Sequence, residues 1–392
     1  MDRTDFGNPL RAHKKLDQPH VCFVAPLAWP LLSGDRTVAF AGGAEVQQSH
    51  IAKGLAQAGF RVSMLCLDFG QPLHVEIDGV QVHRLHKPTA GLPGLRFLHP
   101  RLTSFWRGMR MVGADIYYQR GADMHTGVVA AFCRRHDKKS IFAGAHNTDF
   151  SPSEHLIRYN RDKWLFEYGL AHASAVVVQN PVQLQLCREN YRRDATLIRS
   201  CYPASSTVQA NPNGEVLWVS TIRYFKKPER FIELARRLPE YRFTMIGGPG
   251  GSDAESQRYF ESIRSLADAV PNLTFLGFVH PADVEQHFDR ARLFVNTSDA
   301  EGFPNTFLQA WARGMPTVSL FDPGSVEGGQ SVCSMAPDVN GLIEIVRALN
   351  RDESLWRETG ERCRQHFMRN HSLGSVLDAY ERLFRNLLEE SR

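Results

Sequence analysis

The chain lacks the features that would place it outside ordinary globular proteins. No apolar run is long enough for a bilayer. The most apolar early stretch, Val21 to Leu32, is broken by Pro26 and Pro30 and falls short of the ~20 residues that a membrane helix needs, so any membrane contact is expected to be peripheral. Residues 1–19 are polar and charged, carry no signal-like apolar segment, and read as a flexible tail. The seven cysteines (Cys22, Cys66, Cys133, Cys187, Cys201, Cys333, Cys363) are odd in number, scattered and without a Cys-x-x-Cys pair. That pattern excludes a disulfide framework and the common zinc spacings, and it suits reduced thiols in a cytoplasmic protein. An excess of one charge is missing too: 46 Lys and Arg stand against 42 Asp and Glu, and a net charge of +4 offers no dense basic face for nucleic acid. Neither a repeat nor a low-complexity tract is present, which excludes solenoids.

What is present is enough apolar residue for a packed core, 43% of 392 positions, in a chain long enough for two domains at the usual ~100–200 residues each. Short apolar runs alternate with amphipathic stretches. His20–Pro26 reads as a strand, Ala44–Ala58 as a helix ended by Gly59, and Arg61–Leu67 as a second strand. Such βαβ grammar implies parallel strands covered on both faces. The alternation restarts at Gly214, with strands over Glu215–Val219, Arg242–Ile246, Leu273–Leu276 and Leu293–Asn296 and helices over Pro228–Arg237 and Gln257–Ala267. Between the halves, Cys201 to Asn213 is rich in Ser, Pro and Asn. The expected division is an α/β domain over residues 20–200, a hinge over 201–213 and a second α/β domain over 214–370. A last amphipathic helix over 375–389 carries Val376, Leu377, Tyr380, Leu383, Phe384, Leu387 and Leu388 at helical spacing.

The second half contains Asn296-Thr297-Ser298-Asp299-Ala300-Glu301-Gly302-Phe303-Pro304-Asn305-Thr306-Phe307-Leu308-Gln309, continuing through Trp311 to Val318. This segment resembles the signature of the family 4 retaining glycosyltransferases, in which two glutamates have seven residues between them. Here Glu301 fills the first position and Gln309 replaces the second; Gln keeps an acceptor oxygen but loses the charge. The resemblance implies the GT-B fold, two Rossmann-like parallel-sheet domains facing across a cleft, with the final helix crossing back to the first domain. It further implies that Glu301 bonds a donor-sugar hydroxyl and that Gln309 holds the ribose. The loop Gly302-Phe303-Pro304-Asn305 would meet the diphosphate with backbone N–H groups at a helix start.

Other blocks carry the same resemblance. Arg223 and Lys226, in Val219-Ser220-Thr221-Ile222-Arg223-Tyr224-Phe225-Lys226-Lys227-Pro228, match the Arg and Lys that would stabilise charge on the leaving diphosphate in place of a metal. Gly42 and Gly43, ahead of Ala44-Glu45, match a glycine loop that lets backbone approach the diphosphate. His146, after the strand-like Ser140–Ala143, matches a histidine near the sugar, with Asp149 and Arg120 as further candidates. Gly248, in a glycine turn, and Phe278 and Val279 match segments near the nucleoside.

The implied activity is transfer of a hexose from a nucleoside diphosphate sugar, the co-substrate, to a hydroxyl of a glycan or lipid-linked acceptor, with the anomeric configuration kept and no cofactor or metal. Gly91 to Arg110 carries four arginines, large apolar residues and no acid, a composition suited to anionic membrane at the inner face; an apolar face buried with basic edges fits it equally. Three alternatives stay open: a nucleotide-sugar-binding protein without catalysis, suggested by Gln309; a nucleotide-sugar epimerase of the same fold; and a nicotinamide-dependent oxidoreductase with Asp68 on a ribose. Against the last stands the absence of Gly-x-Gly-x-x-Gly after the first strand.

Overall fold

The computed structural model describes residues 19–34, 42–92, 96–203, 209–299, 301 and 303–390. Eight strands form the first sheet: β1 (His20–Val24), β2 (Arg61–Cys66), β3 (His74–Ile77), β4 (Val80–Arg84), β5 (Ile116–Arg120), β6 (Lys139–Ala143), β7 (Ala175–Val178) and β8 (Thr196–Leu197). Their order is β3-β4-β2-β1-β5-β6-β7-β8, parallel except for the antiparallel edge pair β3–β4. That pair is absent from the sequence expectation. It turns on Asp78-Gly79, both with φ above zero, which is the conformation a two-residue hairpin demands.

Strand side chains alternate between two cores. Val21 and Phe23 of β1, Val62 and Met64 of β2 and Ile116 and Tyr118 of β5 share one cluster with Ile51 and Leu55 of the Gly43–Gln57 helix. Cys22, Val24, Leu65 and Tyr117 share the opposite one with Phe105, Met109, Val128 and Phe132 of the helices Thr103–Val112 and Met124–Arg135. Every residue of β1 is buried, as a central parallel strand requires.

The second sheet is parallel throughout. It consists of β9 (Glu215–Val219), β10 (Phe243–Ile246), β11 (Leu273–Gly277), β12 (Ala291–Asn296), β13 (Thr317–Ser319) and β16 (Ser334–Met335), in the order β11-β10-β9-β12-β13-β16. A small separate hairpin, β14 (Val326–Glu327) with β15 (Gln330–Ser331), lies before the last strand. Most ends fall within a residue or two of the expectation. The helix expected from Gln257 starts at Ala254, because Asp253 caps it by accepting from Ser256 N.

The helix Glu353–Asn370 buries Trp356, Cys363 and Phe367 in the second core, whereas Leu373–Glu389 buries Val376, Tyr380, Phe384 and Leu387 among first-sheet residues. The Tyr380 hydroxyl meets that of Tyr118 at 3.0 Å. The chain crosses between the units at His371 and Ser372, where Tyr202 N donates to His371 O at 3.0 Å.

Strand order fixes where a ligand can lie. In the second sheet the chain runs outward one way from β9 through β10 to β11, and the other way through β12 and β13. A crevice therefore opens where β9 and β12 diverge, at their carboxyl ends. The first sheet has its equivalent between β1 and β5.

Candidate active site

The loops after β9 and β12 are fastened together at the second sheet's crevice. Thr297 Oγ1 accepts from Trp218 Nε1 and donates to Lys226 O, both at 2.9 Å, with Thr297 and Trp218 fully enclosed. Asp299 N donates to Phe225 O at 2.9 Å, and Arg230 holds the Asp299 carboxylate at 2.7 Å. Lys227 takes a left-handed φ of 48° to end the turn before Pro228 starts a helix, a conformation uncommon outside glycine.

These constraints bring Lys226 and Glu301 side by side. Lys226 Nζ donates to Glu301 Oε1 in a close ion pair, and Ser298 Oγ donates to the same oxygen at 2.7 Å. The two charged side chains are 14% and 13% exposed, enough for a ligand to reach them and little enough for their charge to matter. Arg223, three residues before Lys226 in the same loop, has Nη2 on Gly250 O at 2.9 Å. A Cβ at Gly250 would stand 2.4 Å from Arg223 Cγ, so glycine there makes room for the arginine. A Cβ on Gly248 would reach the Phe278 ring at 3.1 Å, which places these two together as well; Val279 packs against the second core.

Other predicted residues have their hydrogen-bond and packing partners outside this group. The Phe303 side chain stacks on His371, centroids 5.0 Å apart, and meets Trp311 edge-on at 5.8 Å, so it packs, partly buried, against the second core. Pro304 has no N–H, and the helix it precedes, Asn305–Trp311, has seven residues; the expected anion cradle is correspondingly smaller. Gly302 lies outside the described residues. Asn305 Oδ1 accepts from Gln47 Nε2 at 3.0 Å and its Nδ2 donates to Gly43 O at 3.4 Å, bridging to the glycine loop of the first unit instead of facing a donor. Gln309 Nε2 donates to Glu285 Oε1 at 2.6 Å.

At the first sheet's crevice, Gly42 is the N-cap of the Gly43–Gln57 helix. His146 is exposed after β6, its Nδ1 accepting from Thr148 N at 3.3 Å. Asp149 accepts from the Ala145 and His146 N–H groups at 2.7 and 3.0 Å; burial raises its pKa, and it shapes the loop without facing the cleft. Arg120 is likewise enclosed, on Gln179 Oε1 at 3.0 Å and Ser200 Oγ at 3.3 Å.

Three contributors escaped the sequence reading. Ser298 lies inside the recognised segment and could have been found by its spacing from Glu301. Gln47 follows Gly43 by one helical turn, a weaker clue. Glu285 is one charged residue on an amphipathic helix, Pro281–Arg290, and nothing local distinguishes it.

Two family models match this chain: a glycosyl transferase 4-like domain over residues 42–200 and glycosyl transferases group 1 over residues 214–352. The chain belongs to the group 1 glycosyltransferases. No curated sequence matches it significantly. Among solved structures, sucrose-phosphate synthase from Thermosynechococcus elongatus superposes with a TM-score of 0.74 at 17% identity, covering 95% of this chain and 100% of that one. Anabaena HepE in complex with UDP and glucose gives 0.70 at 14% identity, over 94% of this chain and 100% of the other. The catalytic domain of starch synthase IV from Arabidopsis thaliana, bound to ADP and acarbose, gives 0.67 at 13% identity, over 95% and 99%. At such identities the likeness establishes the shared GT-B fold. Among the described residues of this glycosyltransferase, no helix is long and apolar enough to cross a membrane.

Proposed function

We propose that this glycosyltransferase moves a hexose from a nucleoside diphosphate sugar to a hydroxyl of a glycan or lipid-linked acceptor, with retention and without a metal. The observation that carries this reading is the Lys226–Glu301 pair at the point where β9 and β12 diverge, with Arg223 in the same loop as Lys226. The donor diphosphate takes Lys226 and Arg223, whose fixed positive charge stabilises the leaving group as the sugar–phosphate bond breaks. Lys226 thereby releases the Glu301 carboxylate to accept from a sugar hydroxyl. His146 meets the donor sugar from the first unit, Gly248, Phe278 and Val279 meet the nucleoside, and the backbones at Gly42, Gly43 and Phe303 meet the diphosphate. Closure about the connection 201–213, of which 204–208 lie outside the described residues, between units spanning 20–200 and 214–370, excludes water from the bond being broken.

The protein works at the inner face of the membrane in this reading. Among the described residues of the basic stretch, Phe105 and Met109 turn inward to the first core, while Leu102, Trp106, Arg107 and Arg110 border an open groove that suits anionic lipid.

Glu301→Ala should abolish transfer while leaving the fold intact, by circular dichroism and Tm. Turnover of that variant at the wild-type rate would remove the site assignment, and a product of inverted anomeric configuration, read by NMR, would remove the stereochemical one.

A further inference from the structure

Gln309 lies one helical turn beyond Asn305, on the helix face from which Asn305 bonds Gln47 of the first unit. Its amide is held at one end. Nε2 donates to Glu285 Oε1 at 2.6 Å, and Glu285 is itself pinned: Arg313 Nη2 reaches Oε2 at 2.8 Å and the Tyr202 hydroxyl donates to the same oxygen. Arg313, 8% exposed, also grips the Gln309 carbonyl at 3.0 Å and Asp289 at 2.8 Å.

A carboxylate paired with arginine accepts and does not donate. Glu285 therefore decides which way the amide stands, NH2 toward the carboxylate and carbonyl oxygen away from it, an orientation that an amide in open solvent would not keep. Among the described residues no hydrogen bond reaches Gln309 Oε1.

We infer that Glu285 is a positioning residue for the donor: it holds the Gln309 amide so that Oε1 accepts from a ribose hydroxyl of the nucleotide. The inference rests on the reading of Gln309 as a donor contact. It also accounts for the neutral side chain at 309. A glutamate there would stand at hydrogen-bonding distance from a second carboxylate, and the repulsion would force a proton onto one of them or drive them apart.

The test is calorimetric titration of the full-length protein with UDP, ADP and GDP, each beside its 2′,3′-dideoxy counterpart. The variants are Glu285→Gln, Gln309→Glu, Gln309→Ala and the exchange Glu285→Gln/Gln309→Glu, with Tm checked for each. The wild type should favour the ribonucleotide by about tenfold, the usual worth of one hydrogen bond. In Glu285→Gln, Arg313 and the Tyr202 hydroxyl claim the new amide's oxygen, its NH2 turns toward Gln309 and reverses that amide, and the preference should fall to within about twofold. Gln309→Glu should weaken binding, and the exchange, with amide and carboxylate trading places, should recover it. An unchanged preference in Glu285→Gln, or an exchange variant no better than Gln309→Glu, overturns the inference. Gln309→Ala separates the two levels. If it abolishes the preference while Glu285→Gln does not, positioning alone fails; if it too has no effect, or no nucleotide binds, the donor reading fails.

Discussion

At Gly250 the space for one methyl group is occupied by Arg223, and Ile222 O lies 2.8 Å from where a Cβ would stand. Gly250→Ala must therefore shift the arginine or the strand-end loop. On the proposed role of Arg223, kcat/KM should fall by on the order of 10- to 100-fold, the range for misplacing one contact to developing charge. Steady-state kinetics check this, with a near-normal Tm showing that the loss is local. Lys226→Ala differs in kind: it leaves Glu301 without its cation, so donor affinity and turnover should both fall. Lys226→Arg, which keeps the charge but not the compact ammonium, should recover only part. At this scale the sequence was legible where chemistry and spacing coincide, as in Arg223, Lys226 and Glu301. It was illegible where a partner comes from another element. Gln309 read as a weakened glutamate, and only the fold brings Glu285, on a different helix, against it.

Elements were legible wherever periodicity was strong. The second-sheet strands and the Pro228–Arg237 helix follow the expectation closely, because apolar runs and helix starts are local signals. The edge hairpin β3–β4 was not anticipated, since its residues are half exposed and carry no long apolar run, although Asp78-Gly79 is a recognisable turn pair. The Gly43–Gln57 helix also carries a tie that no periodicity shows. Gln47, 2% exposed, accepts from Cys201 N and donates to Cys201 O, both at 2.8 Å, as well as to Asn305. Gln47→Leu has similar volume but strands the Cys201 amide and carbonyl in the interior. It should cost about 2–3 kcal/mol, read by chemical denaturation, and Gln47→Glu should be no milder, since a carboxylate cannot donate to Cys201 O. A loss below ~0.5 kcal/mol in both would mean that water replaces the side chain there.

Across the whole molecule, burial holds several histidines neutral: it lowers His20 and His50 to about 4 and His371 to about 3, from 6.5. Below about 6.5 the unfolded chain binds protons that these folded positions refuse, so stability is full above that pH and declines toward 4. Each group contributes at most ~1.4 kcal/mol per pH unit. Tm should fall steadily from pH 7 to pH 5, and a flat profile would show that the buried rings accept protons in place. His20→Gln, able to keep the bond to Ser63 Oγ that His20 makes at 2.8 Å, should make the slope shallower.

The helix Leu373–Glu389 also sets an order of events during synthesis. Val376, Tyr380, Phe384 and Leu387 complete a core whose other walls, β1, β2, β5 and the Gly43–Gln57 helix, leave the ribosome before any of the second sheet. The first unit must wait, one apolar face uncovered, until the rest of the chain has been made. A nascent chain stalled after residue 203 should accordingly bind a hydrophobic dye and be cut readily by protease, and a peptide spanning 373–390, added in trans, should suppress both.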